Sequence, residues 1–138
     1  MSSADNIRSQ LQRMLVKNGF EMQSIDKTDK KFSMKIRKTI LSGYFTQIAH
    51  LQKNGNYIII KDNTTVAVHP SSLMKNKPSF ILYHDFVLTS KNFIRIVCQV
   101  DGEWLYEIAH PEYFKAKDIK NPETKKELLE IEYAIKNF

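Results

Sequence analysis

The side chains of this chain that could run chemistry are few, and their spacing is unhelpful to most kinds of it. His50, His69, His84 and His110 stand 15 to 26 residues apart, with none of the i, i+4 pairing that puts two imidazoles on one metal. Solvated or hydrogen-bonded histidines are therefore expected, and no metal site. Cys98 is the single cysteine, which excludes an intramolecular disulfide and a cysteine-based zinc site. It lies in the apolar run Ile94-Arg95-Ile96-Val97-Cys98 and reads as a buried structural thiol. His84-Asp85 beside a serine resembles part of a triad, but neighbours on a strand point to opposite faces and cannot share one site. Only four glycines occur, and neither GxxxxGK[ST] nor GxGxxG is present, so no loop is built to cradle a nucleotide phosphate. The chain is not expected to be an enzyme by itself, nor to carry a cofactor.

The basic residues say more. Lys and Arg number 21 against 15 Asp and Glu, a net charge of +6, which attracts polyanions and speeds their encounter. Lys27, Lys30, Lys31, Lys35, Arg37 and Lys38 crowd one stretch, with Lys31, Lys35 and Lys38 on one helical face. That face either tracks a phosphate backbone or keeps a half-buried helix in solution. Lys61, Lys75, Lys77 and Lys91 fall at expected strand ends and loops, beside Ser71, Ser72, Thr89, Ser90 and Asn92. Hydroxyls and amides next to lysines suit phosphate and ribose contacts. Tyr57 and Tyr83 are the aromatic candidates for base stacking, with packing inside a barrel as the competing reading.

The elements that must position these residues follow from periodicity. Ile7, Leu11 and Leu15 predict a helix over 4–18 that stops at Gly19. Phe32, Ile36, Ile40, Tyr44, Ile48 and Leu51 extend a second, longer helix to the turn cluster Lys53-Asn54-Gly55-Asn56. Strands are expected at 57–60, 64–69, 80–88 and 93–100, with Asp62-Asn63 able to make a tight hairpin. Trp104, Leu105 and Ile108 fit a short helix or strand, and Asn121-Pro122-Glu123 opens a terminal helix carrying Leu128, Leu129, Ile131 and Ile135. Short strands without βαβ alternation point to a mainly β fold with flanking helices: a small antiparallel barrel after two helices and before a C-terminal one. The expected divisions are a helical segment at 1–52, the barrel at 53–115 and a tail helix at 116–138. The longest apolar run is far short of the roughly 20 residues a bilayer span requires, and no signal-peptide core is visible, so a membrane is not an expected partner.

Four ordered blocks carry a family resemblance: Ile36-Arg37-Lys38-Thr39-Ile40-Leu41-Ser42-Gly43-Tyr44-Phe45; Val68-His69-Pro70-Ser71-Ser72; Tyr83-His84-Asp85-Phe86-Val87-Leu88-Thr89-Ser90-Lys91; and Trp104-Leu105-Tyr106-Glu107-Ile108-Ala109-His110-Pro111-Glu112-Tyr113-Phe114. Over residues 3–115 the chain resembles the C-terminal oligonucleotide-binding-fold (OB-fold) region of DEAH-box RNA helicases. Ser3 to Leu11 looks most like the subgroup of spliceosome disassembly and ribosome biogenesis. The resemblance implies a nuclear, non-catalytic accessory domain holding single-stranded RNA, with ATP and magnesium handled by motor domains elsewhere. It implies contact with those motor domains and with a helical ratchet domain, and an alternative role in docking glycine-patch proteins. The RNA-binding residues it implies are Lys91, Thr89 and Ser90 first, then Ser71, Ser72 and His69; Lys61 and Tyr83 join them as candidates from residue type and expected position on the barrel. The block around Ser71 could equally just shape a loop. Arg37 and Lys38 match a basic pair that either adds electrostatic support or bridges to absent domains.

Overall fold

A computed structural model describes residues 2–110 and 112–138, which fall into two units, Met1–Phe32 and Ser33–Phe138. In the first unit, helix α1 (Ser2–Lys17) ends where expected. Gly19 takes a left-handed φ of 79°, and the Gly19 and Phe20 amides donate back to the Val16 and Leu15 carbonyls at 3.0 Å each. Such a turn satisfies carbonyls that a helix end leaves open. None of the α1 side chains is buried, so Ile7, Leu11, Met14 and Leu15 form an exposed apolar stripe.

The second unit is a closed barrel of β1 (Ile48–Leu51), β2 (Tyr57–Ile59), β3 (Thr65–Val68), β4 (Phe80–Leu88) and β5 (Asn92–Val100), in the order β1-β2-β3-β5-β4. Helix α2 (Phe32–Tyr44) precedes it, α3 (Gly102–Ile108) follows, and a 3₁₀ turn at Ala116–Asp118 leads to α4 (Pro122–Lys136). Two expectations are corrected. The second helix stops at Tyr44, and Ile48–Leu51 is a barrel strand paired to both β2 and β4, so the barrel begins before residue 53. Nor is the barrel wholly antiparallel, because β3 and β5 pair in parallel through Ala67↔Phe93 and Val68↔Ile94. The segment around Trp104 resolves as helix.

Alternation along the strands sorts residues into two apolar clusters. Ala49, Tyr57, Ile59, Val66, Ile81, Tyr83 and Ile94 fill the barrel interior. Ile48, Phe80, Leu82 and Val100, one step out of phase, meet Leu41 of α2, Trp104 and Leu105 of α3 and Leu128 of α4. Each fully buried side chain of this size stabilises the fold by about 1.5–3 kcal/mol. Phase is broken once in β5: Ile94 faces inward, yet Cys98 and Val100 pack with the helices, and Ile96 between them has φ of 55°. A left-handed β-branched residue is rare and costly, and it shifts which face the following residues occupy. The pairing still counts evenly from Phe80↔Val100 to Leu88↔Asn92. Across from Ile96, the carbonyls of Tyr83 and His84 accept from Gln47 Nε2 at 3.0 and 3.1 Å.

Helix α4 is capped and clamped. Asn121 Oδ1 accepts from the Thr124 amide at 2.9 Å, with Pro122 in the first turn. Buried His50 on β1 reaches α4 through Nδ1 to Thr124 Oγ1 at 2.9 Å and Nε2 to Glu127 Oε2 at 2.6 Å. Gln52 Nε2 completes this buried polar group at 3.0 Å from His50 Nδ1.

Candidate nucleic-acid interface

Parallel pairing of β3 with β5 decides which loops are neighbours. The turn that enters β3 (residues 60–64) and the turn that enters β5 (residues 89–91) must lie at the same end of the barrel. Lys61 and Lys91 are both exposed there. Asn63, at φ of 62°, makes the tight hairpin, helped by Asp62 Oδ1 accepting from the Thr64 amide at 3.0 Å. In the second turn Thr89 donates from its amide and from Oγ1 to the Lys91 carbonyl, at 3.0 and 3.2 Å. Thr89 thus shapes the turn, while Ser90 and Lys91 are held outward.

His69, Ser71 and Ser72 lie beyond the other end of β3. The His69 amide donates to the Ile94 carbonyl at 2.8 Å, continuing the seam, and the Ser72 amide closes a turn onto the His69 carbonyl at 2.9 Å. His69 Nδ1 accepts from the Ser71 amide at 3.1 Å and lies 2.7 Å from Ser71 Oγ. Beside this turn, Ser71, Ser72, Leu73 and Met74 wall a groove of about 550 Å³ whose other side is Arg95 to Gln99 of β5. The sequence-nominated residues therefore form two groups, one at each end of the β3/β5 seam.

Other nominated residues are committed inside the fold. Tyr57 is 2% exposed, with its hydroxyl donating to the Pro78 carbonyl at 2.8 Å, and Tyr83 is 9% exposed in the same interior cluster. Burial raises both phenols above their usual value, and neither ring turns an open face to solvent. Arg37 and Lys38 lie over the Trp104 ring at 5.2 and 5.5 Å, a cation–π arrangement. Lys38 Nζ also bonds both Glu107 oxygens, at 2.7 and 2.9 Å, and Arg37 reaches the Gln99 carbonyl at 3.4 Å. These two cations tie α2 to α3 and β5. The half-buried Cys98 thiol is pushed up by burial against the opposing pull of Arg37.

Sequence reasoning passed over two features. The His50–Thr124–Gln52–Glu127 group joins residues more than 70 apart in the chain, so no local spacing announces it. Phe93 sits outward on β5 with the His69 ring centroid 5.4 Å away and the two planes near-perpendicular, and the pattern of the expected strand 93–100 does not say which face the ring takes. Among the described residues no cluster of three or more His, Cys, Asp or Glu could hold a metal ion.

A closed five-stranded barrel in this order, with hydroxyl- and lysine-bearing turns exposed at one end, has the architecture in which strand faces and loops commonly form the binding surface. Residues 36–113, more than half of the chain, match the family model of the oligonucleotide/oligosaccharide-binding (OB)-fold found in NTP-binding proteins, a domain typical of helicase C-termini. The chain belongs to that family. An OB-fold domain is itself non-catalytic, and the match supports a nucleic-acid-binding accessory role.

Proposed function

We propose that this chain is the RNA-binding accessory domain of an ATP-dependent DEAH-box RNA helicase that acts in the nucleus, in pre-mRNA splicing or ribosome biogenesis. It holds single-stranded RNA by its backbone without reading the bases, while motor domains outside these residues bind ATP and magnesium. The observation that carries this reading is the meeting of the Lys61 and Lys91 turns, with Ser90, at one end of an OB barrel. Lysines at such a rim attract phosphates, and hydroxyls fix ribose and phosphate oxygens. Fluorescence anisotropy with a short single-stranded RNA should show affinity falling steeply with salt. Lys91→Ala should weaken binding and flatten the salt slope by about 0.7, the loss of one phosphate contact. No binding even at low salt would sink the proposal.

The exposed apolar stripe of α1 favours a second role, docking on the parent's motor or ratchet domains or on glycine-patch proteins. Capture of such a partner that survives charge reversal at Lys61 and Lys91 but fails in Leu11→Asp would support it. Capture unaffected by Leu11→Asp would argue against it.

A further inference from the structure

We infer that the outward face of the β3/β5 seam carries a base-stacking platform: Phe93, with the His69 ring set near-perpendicular to it and Lys91 two residues before it, in the turn that enters the strand. This rests on the single-strand reading above and gives that reading a specific seat.

The direction of the ring follows from strand alternation. Val66 and Ile94 are buried in the barrel interior and Val68 packs on the same cluster, so Thr65 and Ala67 of β3, His69 just past its end, and Phe93 and Arg95 of β5 face outward. No residue of β3, and none from Asn92 to Val97, belongs to the cluster beneath the helices. The parallel neighbour of Phe93 is Ala67, whose methyl group leaves one side of the ring low-walled. The two groups already described lie at the two ends of this seam. Lys91 and Ser90 stand before Phe93, and Ser71 and Ser72 stand beyond His69. Along the short seam the order is cation, ring, imidazole and hydroxyls, so a single strand laid on it meets them in turn.

His69 is set for this by its turn. Because the Ser71 amide donates to Nδ1 at 3.1 Å, that nitrogen holds a lone pair and the ring proton sits on Nε2. The turn thus fixes the imidazole plane against Phe93 and leaves an N–H donor for a base edge or a phosphate. An aromatic face serves every base alike, which fits a domain that holds RNA without reading sequence. Tyr57 and Tyr83 cannot do this, being inside the barrel.

The test uses the whole chain and two labelled single strands of equal length, one of oligouridine and one abasic. Phe93→Leu should weaken oligouridine binding about tenfold, the size expected for loss of one stacked base, and should leave abasic binding and the salt slope unchanged. Phe93→Trp should bind oligouridine at least as well as the wild type. Trp104 is the sole native tryptophan and is 6% exposed, so fluorescence quenching that appears only in Phe93→Trp reports a base on residue 93. The platform is overturned if Lys91→Ala weakens binding while Phe93→Leu does not, if Phe93→Leu weakens both strands alike, or if Phe93→Trp shows no added quenching. If the wild type binds neither strand at low salt, the single-strand reading falls and the platform with it.

Discussion

The barrel has two outer surfaces built by the same alternation and left in opposite states, one covered and one open. Along β1, β4 and the end of β5 the outward residues Ile48, Phe80, Leu82 and Val100 are 1–3% exposed, because α2, α3 and α4 cover them. Along β3, just past its end and at the start of β5, the outward residues Thr65, Ala67, His69 and Phe93 are exposed or half-exposed. Stability is concentrated on the first surface, which leaves the second free to be polar, basic and aromatic without loosening the core. A binding scaffold needs this separation, since residues chosen for a ligand are seldom the best packers.

The largest effect expected from this division is on stability. Phe80→Ala, which opens a cavity under α3 and α4, should lower unfolding free energy by about 3–5 kcal/mol, whereas Thr65→Ala should stay within about 0.5 kcal/mol. Comparable losses in urea unfolding of the two variants would erase the contrast. A smaller effect comes from glycines. A Cβ on Gly102 would run into Ile131 Cδ1 and the Phe80 ring, so Gly102→Ala should cost about 1–3 kcal/mol. Gly43, in α2, has open space around its Cβ position, and Gly43→Ala should be neutral or stabilising by up to about 1 kcal/mol. Thermal melts of the pair would sharpen how tightly α3 is seated.

The smallest effect appears only in alkali. Burial pushes the Tyr106 phenol up to about 12, and its hydroxyl donates to the Leu128 carbonyl at 3.1 Å. The folded state then keeps this proton longer than the unfolded chain, whose phenol titrates near 10. Its stabilisation is complete below pH 10 and is lost as pH rises toward 12. Tyr106→Phe should therefore be less stable at neutral pH yet flatter in stability between pH 10 and 12, a difference that pH-dependent urea unfolding would reveal.

Much of this fold was legible because turns in the chain are chemically marked. Asp62-Asn63, Thr89 to Lys91 and Asn121-Pro122 bound their elements as their side chains require. Strand β1 was hidden for the opposite reason. Ile48, Ala49 and His50 are all buried, so no alternation shows, and Ile48 and Leu51 continue the helical spacing of Ile40 and Tyr44. Tyr57 and Tyr83 were nominated for stacking by type, but type does not say which face a residue takes. Their phase relative to Ile59 and Ile81 sends them inward. The kinship between the turns of Lys61 and Lys91 depended on β3 pairing in parallel with β5, a long-range fact that local patterns do not contain.

Ile96 gives one strand membership of two cores through a single dihedral rather than through an inserted residue. The strand's phase is consequently stored in one rotatable bond, and lengthening or shortening β5 by a residue would leave half of it misaddressed. Glycine at this position would relieve the backbone but also release the constraint that holds the phase. A rigid, slightly uncomfortable isoleucine is the more faithful memory of where each following side chain belongs.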